Sequence, residues 1–150
     1  MREVVVLEAD ILWRAEFNQP GEKHRGFFET WLRICRNISQ AGKPVLSISA
    51  GAIPANVEPC VERRYFSTVH YLALVCEDEE LTDRLQKRPA WRRSSDPEYI
   101  EEHVRFNRWF KERGSEAEPE IELLDTTEVS VKQTAKQVAG WVRGKAIVRL

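Results

Sequence analysis

Four short apolar stretches, set apart by stretches of helical periodicity, constrain this chain more than any other feature. They read EVVVLEAD from Glu3 to Asp10, PVLSIS from Pro44 to Ser49, VHYLALVC from Val69 to Cys76 and IELLDT from Ile121 to Thr126. Each has strand length and is rich in Val, Ile and Leu. The first packs three valines and a leucine between polar ends, the make-up of a strand buried on both faces. Between the first two, Phe27, Phe28, Trp31, Leu32, Ile34, Cys35 and Ile38 recur at three- and four-residue spacings and predict an amphipathic helix closed by Gly42 and Pro44. Glu58 to Phe66 is too short and polar to assign. After Cys76 the acidic run Glu77 to Glu80 opens a helix to about Lys87, stopped by Pro89. Asp96 and Pro97 give an N-cap and first helical residue, with Tyr99, Ile100, His103, Val104, Phe106 and Phe110 on the buried side of a helix ending at Gly114. Ser130 and Gln133 form a capping box that opens the last helix. Strands that alternate with helices in this way predict an α/β fold with a parallel sheet.

The length, 150 residues, matches one domain. Lys plus Arg total 23 against 24 Asp plus Glu, so no bulk field is available to hold a nucleic-acid backbone or an anionic membrane, and neither is expected as a partner. No apolar run reaches the roughly 18 to 20 residues that cross a bilayer, and Met1 to Asp10 lacks the features of a signal peptide. The expectation is a cytoplasmic protein. Cys35, Cys60 and Cys76 are an odd number, with no CxxC and no nearby paired His, so neither a disulfide framework nor a zinc site is expected.

Several strings together resemble a known family. ADILW (Ala9 to Trp13), GKPVLSISAGAIP (Gly42 to Pro54), ERRYF (Glu62 to Phe66), HYLALVCEDEELTDRLQKRPAWR (His70 to Arg92), NRWF (Asn107 to Phe110) and LLDTT (Leu123 to Thr127) look like bacterial P-loop kinases of the nucleoside and nucleotide kinase type, often labelled AAA-family ATPases. The resemblance runs from Val4 to about Arg143. It implies a three-layer, mostly parallel sheet, an ATP-dependent phosphotransferase with Mg2+, and a small-molecule acceptor, a nucleoside or nucleotide. Residues 82–96 would be the lid.

The family's Walker A loop has no counterpart in this sequence. Gly21 to Phe28 carries Phe27 and Phe28 where Lys and Ser/Thr are required. Ala139 to Ala146 (AGWVRGKA) lacks the first Gly and the hydroxyl residue, and follows a predicted helix rather than a strand. The stretch that resembles the family's second strand starts at Val4, so the family's first strand, P-loop and first helix are expected to be missing from this chain. That first strand is central in such sheets, between the strands resembling Pro44 to Ser49 and Val69 to Cys76. The expectation is therefore a kinase-like chain that does not transfer phosphate alone. The alternative is a non-catalytic remnant that binds a small ligand or a protein. The tail AIVRL, Ala146 to Leu150, either fills the vacant strand position, in the chain or in a homodimer, or frays as a helix end.

Asp10 ends the first strand, and ligands of parallel α/β sheets bind at the carboxyl ends of strands. The resemblance makes it the acidic group at the acceptor, as general base or through magnesium-bound water; otherwise it caps the segment that follows. Trp13 and Arg14 offer a ring and a guanidinium beside it. Gly51 fits a close approach to a ligand and equally a plain turn. Arg84, Arg88, Arg92 and Arg93 with Lys87 form the densest basic cluster, and guanidinium forks match phosphate oxygens. The resemblance reads Arg84, Arg88 and Arg92 as lid residues at the phosphates, against an ordinary helix C-terminus. Arg64 is a further acceptor candidate; Arg33 and Arg36 equally suit a solvated helix face. Trp109 and Trp141 read as packing residues, and His24, His70 and His103 have no metal-ligand spacing.

Overall fold

The computed structural model describes residues 4–14, 16, 22 and 24–147. Two compact units make up the chain, Met1–Val69 with Val142–Leu150, and His70–Trp141. Both are α/β, and each is built on one pair of parallel strands.

In the first unit, strand β1 (Val5–Glu8) runs through a 3-10 turn (Ala9–Leu12) toward helix α1 (Arg25–Gln40), which returns the chain to strand β2 (Val45–Ile48). The pair is parallel, with Val5 opposite Val45 and Glu8 opposite Ile48. The spacing of apolar residues in α1 buries Phe27, Phe28, Trp31 and Cys35 on one side. Each large side chain so removed from water contributes about 2 to 3 kcal/mol before packing is counted. Trp31 Nε1 also donates to the Ala9 carbonyl at 3.0 Å, which ties the helix to the end of β1. The helix stops at Gly42, whose φ of +75° is open to glycine without steric cost. The expectation that β1 is buried on both faces is corrected: Val5 and Leu7 are half-buried while Val6 is 59% exposed. On β2, Ile48, opposite Glu8, is likewise 54% exposed. Valine-rich strands satisfy a one-sided pleat as readily as a two-sided one, so composition alone does not count the covering layers.

The polar stretch Glu58 to Phe66 follows the short helix α2 (Pro54–Val57) and contains a 3-10 turn (Val61–Tyr65). Polar residues of α1 hold that turn. The Glu29 carboxylate accepts from the N–H groups of Val61 (2.6 Å) and Glu62 (3.0 Å). Glu62, itself buried, accepts from Arg33 Nε and Nη2 at 3.2 and 3.1 Å and from Arg36 Nη1 at 3.0 Å. Glu29, Arg33 and Arg36 recur at helical spacing and so share one side of α1.

In the second unit, strand β3 (Tyr71–Val75) leads into helices α3 (Asp78–Gln86) and α4 (Pro97–Arg113), then strand β4 (Ile121–Asp125) and helix α5 (Val131–Ile147), whose residues from Val142 on count with the first unit. Strands β3 and β4 are parallel, from Tyr71 opposite Ile121 to Val75 opposite Asp125. Tyr71, Ala73 and Val75 are buried, as the alternation of a strand requires. The capping box forms as the sequence predicts: Gln133 N–H donates to Ser130 Oγ at 3.3 Å, and Ser130 N–H to Gln133 Oε1 at 3.0 Å. Asp96 stands at the N-cap of α4 but makes no capping bond; its carboxylate takes Arg93 instead, at 3.0 Å. Gly114 after α4 packs closely on β4: a Cβ there would sit 3.2 Å from Leu123 Cδ2, which would have to shift slightly.

The strands form two short parallel pairs in a mixed α/β chain. Among the described residues, β2 pairs only with β1 and β3 only with β4. Of the Walker A near misses, Gly21 lies outside the described residues, and Ala139 to Ala146 sits inside α5. The tail beyond Ile147 is also outside them.

Candidate functional site

The candidate residues divide between the two units. In the first, Asp10 follows β1 and Gly51 follows β2; because the strands are parallel, both lie at the carboxyl end of the pair. The Asp10 side chain is exposed, and its carbonyl accepts from Trp13 N–H at 2.9 Å in the 3-10 turn. The turn presents the carboxylate to solvent, with no described bond to spend it. Trp13 is 49% exposed and rests on α1, its ring centroid 4.9 Å from Phe27 edge-on and 5.0 Å from His24. Arg14 is exposed beside it. Asp10, Trp13 and Arg14 are thus all exposed in the segment that follows β1.

Gly51 has the contacts of a turn. The position of its missing Cβ is 3.4 Å from the Phe28 ring, and its carbonyl accepts from Ile53 N–H at 2.8 Å and Asn56 Nδ2 at 2.9 Å. Arg64, in the turn Val61–Tyr65, lies over the Tyr65 ring at 5.0 Å and donates to its hydroxyl at 3.0 Å. Arg33 and Arg36 are engaged with Glu62, and Arg36 also covers the Tyr65 ring at 4.5 Å.

In the second unit, Arg84 is spent within the fold. Its Nε donates to Glu80 at 2.6 Å, Nη1 to Thr126 Oγ1 at 3.0 Å, and Nη2 to the Thr126 carbonyl at 2.6 Å. Thr126, 5% exposed, in turn donates its hydroxyl to the Val75 carbonyl at 3.0 Å. Arg84 is therefore the clamp on the loop after β4. Arg88 and Arg92 are different: both are exposed and neither has an ion pair among the described residues. Lys87 pairs with Asp83 at 2.5 Å and Arg93 with Asp96.

The loop that carries them is tightly tied. Ser94, 2% exposed, donates its hydroxyl to the Leu85 carbonyl at 3.0 Å. Arg93 adopts a left-handed φ of +54°, a conformation costly for a residue with a side chain, and its N–H donates to the Ala90 carbonyl at 3.0 Å. At the apex Trp91 is 76% exposed, with the Arg92 guanidinium 5.1 Å from its ring centroid.

Sequence reasoning missed Asn107, which is buried on α4 and bonds both backbone groups of Cys76. Its Oδ1 accepts from Cys76 N–H at 3.2 Å and its Nδ2 donates to the Cys76 carbonyl at 2.8 Å. The same Nδ2 reaches Asp78 at 3.1 Å. A polar residue four positions from His103 and three from Val104 and Phe110, on the apolar side of the helix, was the available signal. Arg108 donates to the other oxygen of Asp78 at 2.6 Å. That hydrogen bond first, with the Asn107 bond adding to it, holds the Asp78 carboxyl below its usual range.

The three cysteines are free and buried. Burial pushes the Cys35 and Cys60 thiols up to about 11 and raises Cys76 as well, so at neutral pH none is a nucleophilic thiolate. Among the described residues no three His, Cys, Asp or Glu side chains gather as a metal site, and no helix is long and apolar enough to cross a membrane. No protein-family model matches the chain, and no curated protein sequence matches it.

Proposed function

We propose that this chain carries the acceptor side and the arginine-rich lid of a P-loop kinase-type phosphotransferase for a nucleoside or nucleotide, and that these residues alone do not transfer phosphate. The observation that supports this reading most is the parallel pairing of β1 with β2, which sets Asp10 and Gly51 at the carboxyl end of the pair. Among the described residues β2 pairs in parallel with β1 and β3 in parallel with β4, the strand direction that the resemblance implies. In this reading Asp10 takes the acceptor hydroxyl proton or holds magnesium-bound water, and Trp13 and Arg14 contact the acceptor. Arg88 and Arg92 meet the ATP phosphates, to which their guanidinium groups, without an ion pair among the described residues, are suited. Arg84 positions the neighbouring loop and does not touch phosphate. ATP would supply the transferred group and Mg2+ would neutralise its oxygens; a single carboxylate plus phosphate is an ordinary magnesium ligand set.

A second reading has its own support: with no Walker A loop in the sequence, the chain is a ligand-binding module without catalysis. Calorimetric titration with a panel of nucleosides and with Mg-ATP, after light scattering has shown an unaggregated sample, tests both. Nucleoside binding that Asp10→Asn weakens about tenfold, the scale of a hydrogen bond to a charged group, supports the acceptor site. Turnover of ATP in the presence of the bound nucleoside would establish catalysis by these residues and refute the inactive reading. Binding of no nucleoside or nucleotide overturns the kinase-type proposal.

A further inference from the structure

The Lys87 to Ser94 loop has one feature that phosphate binding does not use, the exposed ring of Trp91. An indole left 76% in solvent loses the apolar burial that normally keeps tryptophan in place. Here the ring is held out by a loop that is itself anchored, at Ser94 Oγ to the Leu85 carbonyl and at Arg93, whose left-handed backbone closes the turn on Ala90. One guanidinium, Arg92, already lies against the ring, and a second, Arg88, is exposed in the same loop without an ion pair among the described residues. The remaining basic residues of the loop are neutralised locally, Lys87 by Asp83 and Arg93 by Asp96. The free positive charge is thus confined to the two arginines that flank the ring in sequence.

We propose that Trp91 is a stacking platform for the base of a nucleotide, whose phosphates are taken by Arg88 and Arg92. The inference rests on the phosphate-binding reading of the loop and adds to it the class of ligand: a planar heteroaromatic ring joined to an oligophosphate, rather than phosphate alone. Aromatic stacking tolerates any base because every base presents a π-face, so this loop selects for the presence of a base and not for its identity. Preorganisation by Ser94 limits the ordering cost that a free loop would meet on binding.

The test compares ATP, GTP and baseless tripolyphosphate on the full chain by calorimetry, with Trp91→Ala, Trp91→Tyr and Arg92→Ala. The expected result is similar affinity for ATP and GTP, and tripolyphosphate bound at least about fivefold more weakly, the lower end of what one base stack contributes. Trp91→Ala should weaken ATP to the level of tripolyphosphate and leave tripolyphosphate unchanged; Trp91→Tyr should restore most of the loss, and Arg92→Ala should weaken all three ligands. Trp91 is exposed, so these variants leave the buried interior untouched. Equal binding of ATP and tripolyphosphate by the wild type, or an unchanged ATP affinity in Trp91→Ala, overturns the stacking role while the phosphate reading stands. Failure of all three ligands to bind removes the phosphate reading as well. Binding of a short single-stranded oligonucleotide about tenfold tighter than ATP would also overturn the proposal, because it assigns the loop to a polymer.

Discussion

Replacing Asn107 by alanine removes the partner of two backbone groups at once. The side-chain amide lies against the end of β3 and completes both polar groups of Cys76, as the next strand of a sheet would. Alanine leaves that N–H and that carbonyl without a partner beside a residue only 5% exposed. Each unsatisfied buried group costs about 1 to 3 kcal/mol. The third bond, to Asp78, is part-buried and is replaced by water at little net loss. The expected destabilisation is about 2 to 6 kcal/mol, a large share of the roughly 5 to 15 kcal/mol that holds a typical domain. Leucine should be no better than alanine, because apolar volume does not satisfy the two groups. Aspartate still accepts from the Cys76 N–H, but turns a second carboxylate oxygen toward the Cys76 carbonyl and Asp78, so it should be worse near neutral pH. Hydrogen exchange at the amides of β3, read residue by residue, measures the effect locally, and urea unfolding measures it for the cooperative unit. A loss below about 0.5 kcal/mol in Asn107→Ala, less than a single ordinary hydrogen bond, would refute the reasoning.

The Asp78 carboxyl is held low in the fold by Arg108, so its folded value lies below the unfolded one of about 3.9. Its contribution is therefore present above about pH 4 and is lost as the pH falls through the folded value; Arg108→Ala should flatten the fall of the urea midpoint between about pH 6 and pH 3. Glu62→Ala should cost about 1 to 3 kcal/mol by calorimetry, less than the 3 to 5 of a fully buried pair because the Arg33 side chain is 68% exposed. Cys35 and Cys60, raised to about 11 by burial, should react with a disulfide reagent at pH 8 far more slowly in the folded protein than in urea. The stability they confer is complete below the unfolded thiol value of about 8.5 and is lost as pH rises through 11.

Periodicity carried the main elements: the apolar spacing of α1, the proline at the start of α4 and the Ser130 and Gln133 pair each mark what the structure forms, since these signals are local and act through the chain's own hydrogen bonds. The number of layers on a strand was not legible, because Val6 and Val5 look alike in sequence while one is exposed and the other half-buried. Nor was the Val61–Tyr65 turn, whose stability comes from Glu29, Arg33 and Arg36 on α1, some thirty residues away in the chain. For the candidate site, the sequence pointed to a basic loop but could not rank its arginines. Arg84 and Arg92 differ only in what surrounds them: the first meets Thr126 from a distant strand end, the second meets solvent and its own neighbour Trp91.

The strand order yields a last prediction that needs no ligand. In a parallel pair, alternate residues of each strand aim their N–H and C=O groups away from the partner strand. A two-stranded ribbon is also marginal by itself in water. In the first unit, α1 covers one side of the β1 and β2 pair and leaves Val6 and Ile48 more than half exposed, at 59% and 54%. Strand β3 is better supported, with Tyr71, Ala73 and Val75 all buried and Asn107 closing its end. If no further strand pairs with β2 and β3, their outward amides should exchange within seconds to minutes while the inward ones are protected, and β2 should open before β3. Alternating protection along Val45–Ile48 that becomes uniform when a polypeptide bearing a Walker A strand is added would support the kinase-type sheet directly. Uniform protection in the chain alone would mean that both edges are already paired, an outcome that the kinase-type reading does not expect.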